Sequence, residues 1–220
     1  MDIDRERLAA MIDHTQLRGS ATHDDITALA KEAMEHGFGA VCVNPYWVAT
    51  SREQLEGSPT KIACVVGFPL GQNKTETKAE EGRIAIDDGA DELDMVLNLA
   101  ALKSQRFSDV EDDIAQVVAL GVPVKVIIEA CDLLNEEKVM ACELAKRAGA
   151  AYVKTSTGFG RYGATVEDVR LMRRIVGDDV GVKAAGGIST LGAAKDMIEA
   201  GATRIGTSHG VRIMREFLRN

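Results

Sequence analysis

At 220 residues the chain is long enough for one sizeable core or at most two small domains. Its 45% hydrophobic and 27% charged content is that of a globular protein, and a net charge of −8 argues against nucleic acid or an anionic membrane as main partner. No apolar run approaches the roughly 20 residues that span a bilayer, and the opening Met-Asp-Ile-Asp-Arg-Glu-Arg lacks the pattern of a secretory signal. A cytoplasmic location is expected. Cys42, Cys64, Cys131 and Cys142 show no metal-ligand spacing and read as reduced thiols.

Taken in chain order, the first strand-like run is 11–15. A helix follows, opened by Thr22 with Asp25 three residues on and closed by Gly37, and then a strand at 40–44. Residues 49–59 and 69–77 are weakly patterned and read as loops and helix starts, on either side of a strand at 61–67. The next helix ends at Gly89 before a strand at 92–98, with Asp91 and Glu92 read as part of the intervening turn. Ser108 with Glu111 has the spacing of a helix start, and Gly121 precedes a strand at 122–129. Asn135 is a candidate cap for the helix closed by Gly149, ahead of a strand at 151–157. Thr165 with Asp168 opens the helix ending at Gly177, followed by a strand at 181–186. Ser189 is a candidate cap for the last interior helix, which ends at Gly201 before a strand at 203–208.

Glycine just past a helix end closes the last turn in a left-handed conformation, and this helix–glycine–strand phrase recurs along the chain. Strands separated by such helices return in the same direction, so the sheet is parallel and covered on both faces. Eight such units in so short a chain predict an α/β fold, a closed (β/α)8 barrel formed as one domain over residues 1–220. An open doubly wound sheet is the alternative.

Four charges interrupt the apolar runs: Asp94, Lys125, Lys154 and Lys183. Burying them is costly unless they pair or perform chemistry. Lys154 and Lys183 fall on adjacent strands, each beside a loop rich in glycine and hydroxyls, so their ammonium groups could come close. Desolvation and a neighbouring cation both favour the neutral, nucleophilic amine. Moving a lysine pKa from about 10.4 toward about 7 raises the neutral fraction at neutral pH by roughly three orders of magnitude. Asp94 is placed to keep one lysine charged and to relay protons through water. For Lys125 a structural pair with Glu129 or Asp94 is as reasonable as a catalytic role.

The ends of the last two strands carry an anion signal. Gly186-Gly187-Ile188-Ser189 and Gly206-Thr207-Ser208-His209-Gly210 follow strands seven and eight, the customary phosphate corner of such a barrel.

Together these segments resemble the deoxyribose-phosphate aldolases, a class I aldolase family. The resemblance rests on Ile12-Asp-His-Thr-Gln-Leu17, Val41-Cys-Val-Asn-Pro45, Val66-Gly-Phe-Pro-Leu-Gly71, Glu92-Leu-Asp-Met-Val96 and Val124-Lys-Val-Ile-Ile-Glu129. It continues through Tyr152-Val-Lys-Thr-Ser-Thr-Gly-Phe159, Val182-Lys-Ala-Ala-Gly-Gly-Ile188 and Arg204-Ile-Gly-Thr-Ser208, spanning nearly the whole chain. It implies a lyase of deoxyribose phosphate catabolism that reversibly cleaves 2-deoxy-D-ribose 5-phosphate to acetaldehyde and D-glyceraldehyde 3-phosphate. It further implies Lys154 as the Schiff-base lysine, Lys183 as the cation tuning it and Asp94 in proton transfer. Phosphate would meet Gly158, Gly186, Gly187, Gly206, Ser208 and His209, with Asp13, Cys42, Lys125 and Thr157 as supporting pocket positions. No metal or organic cofactor is implied. Similar proteins suggest a homodimer or homotetramer.

Two departures stand out. Some relatives carry a lysine where this chain has Phe159, with Arg161 nearby, and some end in a tail with a tyrosine, whereas this chain reads Glu216-Phe-Leu-Arg-Asn220. Two other readings stay open: a Schiff-base enzyme for a different phosphorylated sugar, and a non-catalytic barrel that binds sugar phosphates.

Overall fold

Eight parallel strands close on themselves in chain order in the computed structural model, which describes residues 3–219. They are β1 (Ile12–Gln16), β2 (Ala40–Val43), β3 (Lys61–Val66), β4 (Glu92–Val96), β5 (Val124–Ile127), β6 (Tyr152–Lys154), β7 (Gly181–Ala185) and β8 (Arg204–Thr207). The seam is shut by β1 against β8, with Ile12 opposite Ile205. The open-sheet alternative is therefore excluded. Met1 and Asn220, the ends of the expected domain, lie outside the described residues.

An outer ring of helices covers the strands: α1 (Arg5–Ala10), α2 (His23–His36), α3 (Val48–Gln54), α4 (Thr75–Asp87), α5 (Leu99–Lys103), α6 (Phe107–Val118), α7 (Asn135–Arg147), α8 (Val166–Val176), α9 (Leu191–Glu199) and α10 (Gly210–Phe217). Their punctuation follows the local chemistry. Thr22 Oγ1 accepts from the Asp25 N–H at 3.3 Å and the Asp25 carboxylate accepts from the Thr22 N–H at 2.8 Å, a reciprocal cap on α2. Gly37 closes that helix with φ +72°, which an L-residue rarely adopts.

Three expected caps move. Ser108 sits inside α6, which begins at Phe107 without a side-chain cap. Asn135 is the first residue of α7, where the Glu137 carboxylate instead takes the Leu134 N–H at 2.8 Å. Thr190, one residue beyond Ser189, caps α9 through the Ala193 N–H. Part of the weakly patterned 49–59 stretch forms α3, held by tertiary packing of Val48 and Leu55 rather than by a cap.

Strand alternation sorts the side chains. Val41, Ile62, Leu93, Val124, Val153, Val182 and Ile205 point outward into the apolar core beneath the helices. The inward faces are different: Cys42, Ala63 and Val65 form a small apolar cluster with Leu17, while Asp13, Glu92, Asp94, Lys125, Lys154, Lys183 and Arg204, buried alongside them, supply the charges. The barrel interior is therefore ionic on one side, and the main hydrophobic core lies between sheet and helices.

Candidate active site

Alternation on β6 and β7 aims Lys154 and Lys183 inward, and the register sets them directly opposite each other. Both ammonium groups donate to the same oxygen of Asp94, at 2.7 Å each. Lys125, from β5, donates to the other Asp94 oxygen at 2.7 Å. Below this layer Lys125 also meets Glu92 at 2.7 Å, and Arg204 meets Glu92 at 2.8 Å and Asp13 at 3.2 Å. Lys183 holds Asp13 as well. The Cys42 thiol lies over Asp94 at 4.0 Å.

Glu92 is not a turn residue but the first inward residue of β4, two positions before Asp94 and hence on its face. Of the two pairs open to Lys125, the one with Asp94 forms, joined by Glu92, and the one with Glu129 does not, because β5 ends at Ile127 and Glu129 turns away with φ +47°. Arg204 entered the sequence reading only inside a motif. It joins the cluster because its strand closes the barrel beside Lys183.

The cluster fixes protonation states. Burial alone raises the Asp94 carboxyl, but Lys125, Lys154 and Lys183 together hold it well below the ordinary range. Asp13 behaves likewise beneath Lys183, Lys125 and Arg204, and Glu92 beneath Lys125 and Arg204. Burial opposes the charge on Lys183, yet Asp13 and Asp94 outweigh it and push its pKa up, so Lys183 stays cationic. Burial pushes the Cys42 thiol up, leaving it protonated.

Carboxyls with depressed folded-state pKa values add stability that is fully present above their unfolded values near about 4 and fades as pH falls through the lower folded values. Thermal melts should therefore hold from neutrality to about pH 5 and drop steeply below about pH 4. In Asp94→Asn the acid-dependent part of the loss should shrink. An unchanged acid profile in that variant would contradict the assignment.

A cavity of about 970 Å³ opens above the cluster at the C-terminal ends of the strands. Lys154 is the one lysine that lines it among the described residues; Lys125 and Lys183 lie beneath, fully buried. The expected phosphate residues Gly158, Gly186, Gly187, Gly206, Ser208 and His209 all border this cavity, as does Thr157. Gly186 and Gly187 have φ +88° and +76°, and a Cβ on Gly206 would stand 2.9 Å from Lys183 Cε. Glycine at 206 thus makes room for a lysine stem as well as for a ligand. Thr207 Oγ1 donates to the Ile188 carbonyl and accepts from the His209 N–H at 2.9 Å, tying the two terminal loops together.

Phe159 borders the cavity and packs edge-on to Phe68 at 5.4 Å. Arg161 does not: its guanidinium is held by Asp132 and the Cys131 carbonyl, away from the opening. Arg18 and Arg212 line the cavity instead, from the loop after β1 and from α10. Neither was singled out from the sequence, since an arginine in a loop or on a helix carries no mark of the wall it faces.

The model of the DeoC/LacD family aldolases matches residues 7–217. The chain belongs to the DeoC/LacD aldolase family. Similar family members include the deoxyribose-phosphate aldolases of Aciduliprofundum boonei, 57% identical over 96% of this chain and 97% of the relative, and of Thermococcus kodakarensis, 56% identical over the same shares. Among solved structures, a putative deoxyribose-phosphate aldolase from Coccidioides immitis superposes with a TM-score of 0.95 at 41% identity, covering 98% of this chain and 87% of that one. The deoxyribose phosphate aldolase of Aeropyrum pernix, described as tetrameric, gives 0.91 at 34% identity over 98% and 92%.

Proposed function

We propose that residues 1–220 act as one aldolase domain that cleaves 2-deoxy-D-ribose 5-phosphate to acetaldehyde and D-glyceraldehyde 3-phosphate through a Schiff base on Lys154. The observation that carries this is the position of Lys154, which touches both the ionic cluster and the cavity. Besides Lys61, which reaches Glu92 at 3.1 Å from a half-exposed position, the buried interior of the cluster contains, among the described residues, four cationic side chains, Lys125, Lys154, Lys183 and Arg204, against three carboxylates, Asp13, Glu92 and Asp94. Neutralising one cation balances it. Lys125, Lys183 and Arg204 each hold at least two carboxylates, whereas Lys154 holds only Asp94, so releasing Lys154 breaks the fewest ion pairs.

The neutral amine attacks C1 of the open-chain sugar, and loss of water leaves an iminium. Carbon counting then sets the bond that breaks. Acetaldehyde carries two carbons, so C2–C3 cleaves as the C3 hydroxyl gives its proton to water in the cavity and the C2–C3 electron pair moves into the iminium, leaving an enamine. Protonation at C2 and hydrolysis release acetaldehyde and the free lysine. Asp94, with both oxygens occupied by ammonium groups, orients the Lys154 amine beside the Lys183 ammonium, and protons reach the sugar from it through water. The phosphate rests on Gly158 of the loop after β6 and on the glycine loops after β7 and β8, within reach of Arg18 and Arg212. The chain works as an assembly of identical copies, a homodimer or homotetramer in the cytoplasm.

The test is direct. Purified protein given deoxyribose 5-phosphate should release acetaldehyde and glyceraldehyde 3-phosphate in equal amounts. Absence of both, from a protein that still forms a borohydride-trapped adduct with another sugar phosphate, would assign it a different substrate.

A further inference from the structure

Glu129 is a buried carboxylate outside the ionic cluster, and no lysine, arginine or histidine forms an ion pair with it among the described residues. Its backbone is left-handed, φ +47° and ψ +64°, a conformation that costs a residue with a Cβ on the order of 1 kcal/mol and persists where the surroundings impose it. What the side chain meets explains why. Its carboxylate accepts from the Thr157 N–H, at 3.3 and 3.4 Å to its two oxygens, and from the Thr157 hydroxyl. Thr157 Oγ1 in turn accepts from the Phe159 N–H at 3.0 Å. The chain closes around this carboxylate at Gly160, where a Cβ would stand 3.0 Å from Glu129 Oε1 and 2.7 Å from Cys131 Sγ. The strand ends are stitched to the same purpose, since the Ala130 N–H donates to the Thr155 carbonyl at 2.8 Å.

The segment so gripped starts three residues after Lys154 and supplies Thr157, Gly158 and Phe159 to the cavity wall. We infer that Glu129 is a positioning residue: its buried carboxylate clamps Thr157 and so fixes the loop after β6 in the shape that receives the phosphate end of the sugar. A charged acceptor shared by an N–H and a hydroxyl is stronger than neutral pairs and holds one loop geometry. The inference rests on the sugar-phosphate reading above and names a part of that site which touches no reacting atom.

The readout is the ratio of kcat/KM for deoxyribose 5-phosphate to that for unphosphorylated deoxyribose, which needs no phosphate wall. Glu129→Gly removes the carboxylate while suiting the left-handed backbone, so it separates folding from positioning. It should lower the ratio about tenfold or more through a raised KM for the phosphorylated sugar, the size expected for a lost hydrogen bond to a charged group. Glu129→Gln, which keeps one acceptor oxygen, should fall between Glu129→Gly and wild type. If the glutamate variants do not fold, Thr157→Val and Thr157→Ser leave the carboxylate in place. The valine should lower the ratio, and the serine, which retains the hydroxyl, should restore it. A wild-type ratio in Glu129→Gly, an equal fall for both sugars, or identical ratios in the two Thr157 variants would overturn the inference. Wild-type protein that fails to cleave deoxyribose 5-phosphate at all would instead remove the reading on which it rests.

Discussion

Borohydride reduction in the presence of acetaldehyde should leave a two-carbon adduct on Lys154, and Lys154→Leu should lose both the adduct and at least about 10⁴-fold in kcat. Three buried lysines share one aspartate, so chemistry alone does not choose between them. Access does. Lys154 borders the cavity, while Lys125 and Lys183 have no exposed surface. The leucine variant should still fold, because Asp94 keeps Lys125 and Lys183 as partners at 2.7 Å. Peptide mass spectrometry locates the label. An adduct on Lys125 or Lys183 in the wild type, or turnover surviving in Lys154→Leu, would refute the assignment.

Lys183→Leu should lower kcat by about 10²- to 10³-fold and move the surviving activity to higher pH. With Lys183 gone, three buried cations face three carboxylates, and this buried set is balanced only when Lys154 keeps its proton. Activity then waits for hydroxide to remove that proton, so the acid limb of the kcat profile shifts toward alkaline pH. A merely structural lysine would not move that limb. Removing one member of a buried charge set also costs about 3–5 kcal/mol, so the profile is to be measured well below the melting temperature, with folding checked by circular dichroism. Asp13 retains Arg204 at 3.2 Å and Lys125 at 3.7 Å, which limits the damage. A profile superposable on wild type would sink the charge-balance account of the amine.

The repeated helix–glycine–strand phrase was enough to predict the barrel, because helix closure and strand alternation are local rules. Thr22, Thr165 and Gly37 do in space what their spacing implies. Lys154, Lys183 and Asp94 were legible for a related reason: a charge in the middle of an apolar strand is anomalous in one dimension. Where local rules were read too loosely the expectation failed. Glu92 is two residues from Asp94 and so shares its face, a signal present in the chain but overridden by the turn before it.

By itself, then, the sequence determined the (β/α)8 architecture and the residues that carry unusual charge. Only the tertiary structure decided which lysine faces the cavity, that Arg204 and Glu92 join the cluster, that Arg18 and Arg212 rather than Arg161 line the cavity, and that Glu129 grips Thr157 instead of Lys125. The reason is physical. Periodicity and caps are set by neighbours a few residues apart, whereas proton balance and access arise when strands far apart in the chain, β4 and β8 among them, are brought around one axis and their charges must be satisfied together.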